Sequence, residues 1–269
     1  MAYARICEET VNCLLMYAYI KLSGRFNESF LPWQSETLNW KAIRHQFKFT
    51  VVMASIDFLD YFYFGILMIM GGSFGTKDSV VNLALQQTSA IIYYMFVGIS
   101  QTGVVYVANS VGEQHPNKAK NYGQVAFYVV YAIVALFILL FILFGQNWVE
   151  LWVVEPETQL YTLKVFNLYT FIKLPGTALV WASLITLKGC EKQRLAAITA
   201  VIIDYFVGLP AAWLLAFKFD MKVYGIWLSV TMIAWILGIN YQIQIWRLDW
   251  EDVIHKAQKE ISKSSKKLE

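Results

Sequence analysis

Two carboxylates sit where a bilayer would be least hospitable to them. Asp57 and Asp60 fall inside the apolar run 47–72, FKFTVVMASIDFLDYFYFGILMIMGG. A carboxylate at the centre of a membrane helix costs about 2.5–3.5 kcal/mol on insertion scales. Spaced i, i+3, the two share one face of a helix. That face belongs against a bundle or a wet cavity, where two neighbouring carboxylates do not both stay charged and one can load and release a proton. A plainer reading puts one aspartate at the water interface and lets the other cap or pair locally. Asp204 is a third acid within a span, ahead of Gly208-Leu209-Pro210. Lys173, in the preceding span just before Pro175, is placed to pair with it across two helices. A merely neutralised pair, or a lysine snorkelling to the interface, is the structural alternative. The Pro175-Gly176 and Gly208–Pro210 interruptions free backbone carbonyls, which helices lining a cavity tolerate.

Aromatic side chains add a second chemistry. The chain holds 10 Trp, 16 Tyr and 18 Phe, and aromatic faces attract organic cations. Tyr61, Phe62, Tyr63, Tyr93, Tyr94 and Trp181 fall inside spans, while Trp148, Trp152, Trp246 and Trp250 fit interfacial belts. Covalent catalysis has little to work with. His45, His115 and His255 fall in loops or the tail, and no Ser/His/Asp set, metal cluster or glycine-rich phosphate loop occurs in the sequence. Cys7, Cys13 and Cys190 lack metal-like spacing and are odd in number, so they indicate neither a zinc site nor a disulfide framework. The residues point away from an enzyme, from a cofactor and from nucleic acid.

These residues need helices across a membrane to position them. The chain has 269 residues, 58% hydrophobic and 15% charged, against about 45–50% apolar and about 25% charged in soluble domains. An all-α, polytopic bundle of about seven helices follows, set in a lipid bilayer. Spans are expected near 49–72, 79–111, 124–145, 160–187, 195–217 and 223–246, after a partial one at 10–22. Glu8 and Glu9 precede only a short apolar patch, so the amino terminus does not read as a secretory leader. The domain division is a first, partial helix at 1–22, a cytoplasmic loop at 23–46, a six-helix lobe at 47–246 and a charged cytoplasmic tail at 247–269. Between the spans, 112–123, 146–159 and 188–194 read as loops. Lys and Arg number five in 21–48, two in 112–123, three in 188–194 and six from 247 on, against none in 146–159. The positive-inside rule places the basic set in the cytoplasm and alternates through every span.

Four stretches then carry a resemblance. Val107-Ala-Asn109-Ser-Val-Gly112 with Pro116-Asn-Lys-Ala-Lys120 is similar to an "RVxNxLGAGxPxxAK" signature. Lys188-Gly-Cys-Glu-Lys-Gln193 is similar to "RGxGxQ". Asp204-Tyr-Phe-Val-Gly-Leu-Pro210, followed by Gly225-Ile-Trp227, is similar to "YYxxGLP". Arg247-Leu-Asp-Trp250 is similar to the "R-x-D-W" that opens a cytoplasmic tail. In this order and spacing they resemble the multidrug and toxic compound extrusion family, in its eukaryotic branch, from the sixth helix through the twelfth. Leu59-Asp60-Tyr61-Phe62-Tyr63-Phe64 falls where that branch has "LEWWSFE", and Asp60 matches the glutamate tied to proton coupling.

The resemblance implies the carboxyl lobe of a secondary transporter that exchanges small organic cations and other xenobiotics for protons. Asp60, Asp57 and Asp204 would serve coupling, and Tyr61, Thr177 and Trp181 the substrate cavity. It implies no cofactor and no metal, and a plasma, vacuolar or vesicular membrane. Departures stand beside it: Gly65 at the second glutamate, Thr177 at the usual acid of helix ten, Tyr106 at the signature arginine and Asp204 at a tyrosine. Helices one to five of the family pattern have no counterpart in this sequence. The chain thus reads as a fragment or a half protein whose partner is an amino-terminal lobe. The alternative is a degenerate, non-transporting lobe that acts as a structural membrane partner.

Overall fold

With no water to satisfy it, backbone inside a bilayer must bond to itself, and the chain is helical wherever it is apolar. The computed structural model describes residues 2–23 and 40–268. Residues 24–39 of the expected cytoplasmic loop, and the side chains of Asp57 and Asp60, lie outside the described residues. The chain divides into two compact units, Met1–Ser55 and Ile56–Glu269. In the first unit, α1 runs Ala2–Ser23 and so begins well ahead of the apolar segment that marked it. Helix α2 is Trp40–Gly72.

The second unit continues with α3 (Thr76–Gly112), α4 (Pro116–Trp152), α5 (Pro156–Gly189), α6 (Gln193–Lys218), α7 (Lys222–Trp246) and α8 (Trp250–Leu268). No strand occurs among the described residues. Helices α3 to α7 are long and apolar enough to cross a membrane, and the described apolar stretch of α2, Tyr61–Gly72, is shorter. The expected loops shrink. The chain turns within residues 113–115, 153–155 and 190–192, and the rest of each polar stretch is helix. Apolarity marks only what meets the lipid, whereas Pro116 and Pro156 start their helices earlier, at the position where a missing N–H costs nothing. Gly75, at φ 107°, turns the chain between α2 and α3 in a conformation that side chains disfavour. Asp249 Oδ1 accepts the N–H groups of Glu251 and Asp252 at 3.0 and 3.2 Å and caps α8.

The two expected helix breaks are widened turns instead. Leu168–Lys173 of α5 precedes Pro175, and Asp204–Gly208 of α6 precedes Pro210; both are π-helical. A proline has no N–H to give and crowds the carbonyl one turn back, and an extra residue in the turn relieves that crowding. The carbonyls around these turns find side-chain donors. Trp235 Nε1 donates to Ile172 O at 2.9 Å, Tyr131 Oη to Pro175 O at 3.2 Å, and Ser229 Oγ to Gly208 O at 2.9 Å.

Helix α7 contributes to both main clusters of the second unit. The main core joins Leu85 and Phe96 of α3, Val130 and Val149 of α4, Phe166 and Ile185 of α5, and Trp227 of α7. A second cluster sets Tyr63 and Leu67 of α2 against Ala212 and Ala216 of α6 and Ile226 and Val230 of α7. Small residues let these backbones approach, as membrane helices require. A Cβ on Gly225 would come within 2.7 Å of the Leu215 carbonyl carbon, so only glycine fits that crossing of α6 and α7.

Candidate functional site

Helix α6 presents Asp204 at the first position of a π turn, where it is 5% exposed. The next residue ties that turn to α2: Tyr205 Oη donates to the carbonyl of Leu59 at 2.8 Å. Leu59 directly precedes Asp60, so the Asp204 turn and the Asp60 turn of the backbone lie beside each other. Tyr63 Oη stands over Gly208, 2.8 Å from where a Cβ would be, and the Tyr63 and Tyr205 rings lie 6.2 Å apart. Two tyrosines therefore line this part of the α2–α6 contact, and the buried Asp204 is next in sequence to one of them. From sequence, Tyr63 reads as one aromatic among many and Tyr205 only as part of the Asp204–Pro210 stretch. The signal for both was the "YYxxGLP"-like stretch and the glycine that admits a hydroxyl.

The cavity candidates are less concerted. Thr177 Oγ1 donates to Lys173 O at 3.1 Å, bridging the end of the π turn of α5. One turn on, the Trp181 ring meets Tyr93 at 5.4 Å and Phe96 at 6.2 Å on α3. Tyr61 is 69% exposed on α2, and no ring contact among the described residues links it to Trp181. A hollow of about 260 Å³ opens elsewhere, between α3, α4 and α5, and its lining of residues such as Ile92, Phe137, Phe141 and Leu174 is apolar.

Lys173 does not pair with Asp204. Among the described residues it meets no carboxylate within ion-pair distance. Its Nζ lies 4.6 Å from the Tyr169 ring centroid and 5.4 Å from that of Trp227. It does not snorkel either, since the residue is only 9% exposed. The π turn of α5 rotates it toward the α7 side of the helix, where Trp227 stands.

A fourth acid lies in the short polar stretch between the spans expected at 49–72 and 79–111. Asp78, in the first turn of α3, is 6% exposed and its Oδ1 has no hydrogen-bond partner among the described residues. One turn on, Asn82 Oδ1 accepts from Trp227 Nε1 at 3.0 Å. Around this end of the bundle, Lys77 pairs with Glu157 at 3.4 Å and Tyr161 Oη accepts the Tyr224 N–H at 3.3 Å. At the other end, Lys120 stands 5.6 Å over the Trp250 ring. These contacts group the starts of α3, α5 and α7 at one end, and the starts of α4 and α8 at the other. No group of three or more His, Cys, Asp or Glu residues among those described is placed to hold a metal.

Comparison with known proteins bears on family and fold. The family model described as MatE matches residues 53–214. Protein DETOXIFICATION 49 of Arabidopsis thaliana is 26% identical over 263 residues, which cover 94% of this chain and 51% of the relative. Multidrug and toxin extrusion protein 2 of Oryctolagus cuniculus is 23% identical over 261 residues, covering 96% and 42%. An uncharacterized transporter of Schizosaccharomyces pombe is 23% identical over 256 residues, covering 94% and 46%. The chain spans about half the length of the curated relatives it matches. In fold, it resembles the crystal structure of the eukaryotic MATE transporter AtDTX14 with a TM-score of 0.80 at 20% identity, over 93% of this chain and 56% of that one. The chain belongs to the MatE family and is an integral membrane protein, with five helices among the described residues long and apolar enough to cross a bilayer.

Proposed function

We propose that this chain works as the carboxyl lobe of a proton-coupled exporter of small organic cations, in a plasma, vacuolar or vesicular membrane. Asp60 is the proton carrier, and Asp57 and Asp204 complete the acidic set around it. Tyr61, Thr177 and Trp181 contribute to the cavity wall. The observation that carries this reading is the Tyr205–Leu59 hydrogen bond, which sets the buried Asp204 turn beside the Asp60 turn. The names of two Oryctolagus cuniculus relatives, multidrug and toxin extrusion proteins 1 and 2, support drug-like cargo.

In this scheme Asp60 binds a cation while ionised. Taking up a proton from the acidic side discharges the carboxyl and releases the cation. Returning the proton to the other side restores the charge. Alternating access in such transporters comes from one repeat moving against another around a shared site. The exporter therefore needs a second, amino-terminal lobe, on the same polypeptide or supplied by another. The test is efflux of a fluorescent organic cation from vesicles that hold both lobes. Asp60→Asn keeps size and hydrogen bonding but cannot cycle a charge, so it abolishes proton-driven efflux while membrane insertion is unchanged. Unchanged pH-dependent efflux in that variant removes Asp60 from the role.

A further inference from the structure

Lys173 has no part in the coupling scheme, yet it occupies a built site. Among the described residues it is the one buried lysine or arginine. Its ammonium faces two aromatic rings, Tyr169 at 4.6 Å and Trp227 at 5.4 Å, which meet each other edge to face at 5.7 Å and 79°. Both rings are held in place. Trp227 Nε1 donates to Asn82 Oδ1 at 3.0 Å, and Tyr169 packs edge to face on Phe166 at 6.3 Å. A residue that only filled this space would be Leu or Met, because a buried charge is costly and Lys173 has no carboxylate partner among the described residues. Converging aromatic faces are the chemistry that recognises an organic ammonium ion, and the attraction grows when the cation is desolvated.

We propose that Tyr169 and Trp227 form an organic-ammonium subsite which Lys173 fills from within, so that Lys173 is a specificity-determining residue that keeps cationic cargo out of this part of the lobe. The inference rests on the export reading only for the word cargo. It places exogenous cations elsewhere in the lobe and makes the α5–α7 contact a closed, self-saturated box. Truncating the lysine opens the box. Lys173→Ala removes Cγ, Cδ, Cε and Nζ, and propylammonium has the same number of heavy atoms with the charge at the same end.

The test uses the purified full chain in detergent, titrated with propylammonium and with neutral 1-propanol, read by thermal unfolding and tryptophan fluorescence. Lys173→Ala binds propylammonium saturably and roughly tenfold or more tighter than the wild type, and 1-propanol does not reproduce the effect. Adding Trp227→Leu to Lys173→Ala abolishes the gain. Equal response of wild type and Lys173→Ala overturns the proposal, as does equal binding of 1-propanol or binding that survives loss of Trp227. Where Lys173→Ala folds only with propylammonium present during purification, that rescue is the expected result. Failure to fold with and without the amine, in Lys173→Ala and in Lys173→Ser alike, overturns it. No transport is measured, so a negative result leaves the export reading standing.

Discussion

At the scale of single residues, environment decides what a side chain does more than its type. Cys190 is 3% exposed, and burial pushes its thiol up to about 12, although Lys192 nearby acts in the opposite direction. The thiolate is the reactive species, so Cys190 stays protonated and inert through neutral and mildly alkaline pH. Maleimide titration in detergent at pH 8 should therefore label Cys7 and Cys13, which are exposed, and reach Cys190 only after denaturation. Three equivalents reacting in the folded protein contradict this. Gly225 offers a second check. Gly225→Ala drives a methyl into the backbone of Leu215, which cannot swing aside like a side chain, and overpacking of this kind costs about 1–3 kcal/mol. Thermal unfolding of that variant should shift down. An unchanged midpoint would mean that the α6–α7 crossing has slack.

Residue types were legible in the sequence but their partners were not. Asp204 was readable as an acid in a span. Lys173 was readable as a cation in the preceding one, and the natural inference joined them. The structure turns Lys173 to Tyr169 and Trp227 because an extra residue in one turn rotates everything around it, and hydropathy carries no record of that rotation. Asp78 was missed for a related reason: a polar residue beside a turn reads as solvent-exposed until the helix that starts there is packed against others.

At the scale of elements, apolar length located every crossing helix but not its ends. The helix α4 was expected over 124–145 and runs Pro116–Trp152, because helices continue past the lipid until a turn residue stops them. The prolines do sit at sites of irregularity, Pro175 and Pro210 each following a π turn. Their effect is to widen the helix rather than to break it, since the freed carbonyls have donors close by. Ser229→Ala tests that account. It strips the Gly208 carbonyl of a donor at 2.9 Å while leaving the packing nearly intact. The expected loss is about 0.6 kcal/mol, the average for polar contacts between membrane helices, and larger if the carbonyl stays dry. Hydrogen exchange at residues 204–210 should rise in the same variant. Wild-type protection in that segment would show that the serine does not hold the turn.

At the scale of the whole molecule, the argument concerns orientation and partnership. The turns at 113–115 and 190–192, the first followed by Lys118 and Lys120 and the second carrying Lys192 between Lys188 and Arg194, and the tail are predicted to face the cytoplasm, and the 153–155 turn the opposite side. In intact cells, an impermeant thiol reagent should modify Glu157→Cys and spare Asn117→Cys, and the reverse pattern would invert the topology. Transport makes the stronger demand. Rocking needs two bodies around one site, and the chain matches about half the length of its relatives. The most direct measurement reconstitutes the purified chain in liposomes, with and without a MatE-family amino lobe, under an imposed proton gradient and with a fluorescent organic cation. The account predicts saturable, gradient-dependent flux only when both lobes are present, and its loss in Asp60→Asn. Saturable gradient-driven flux from the chain alone, or none when both lobes are inserted and assembled, would contradict it.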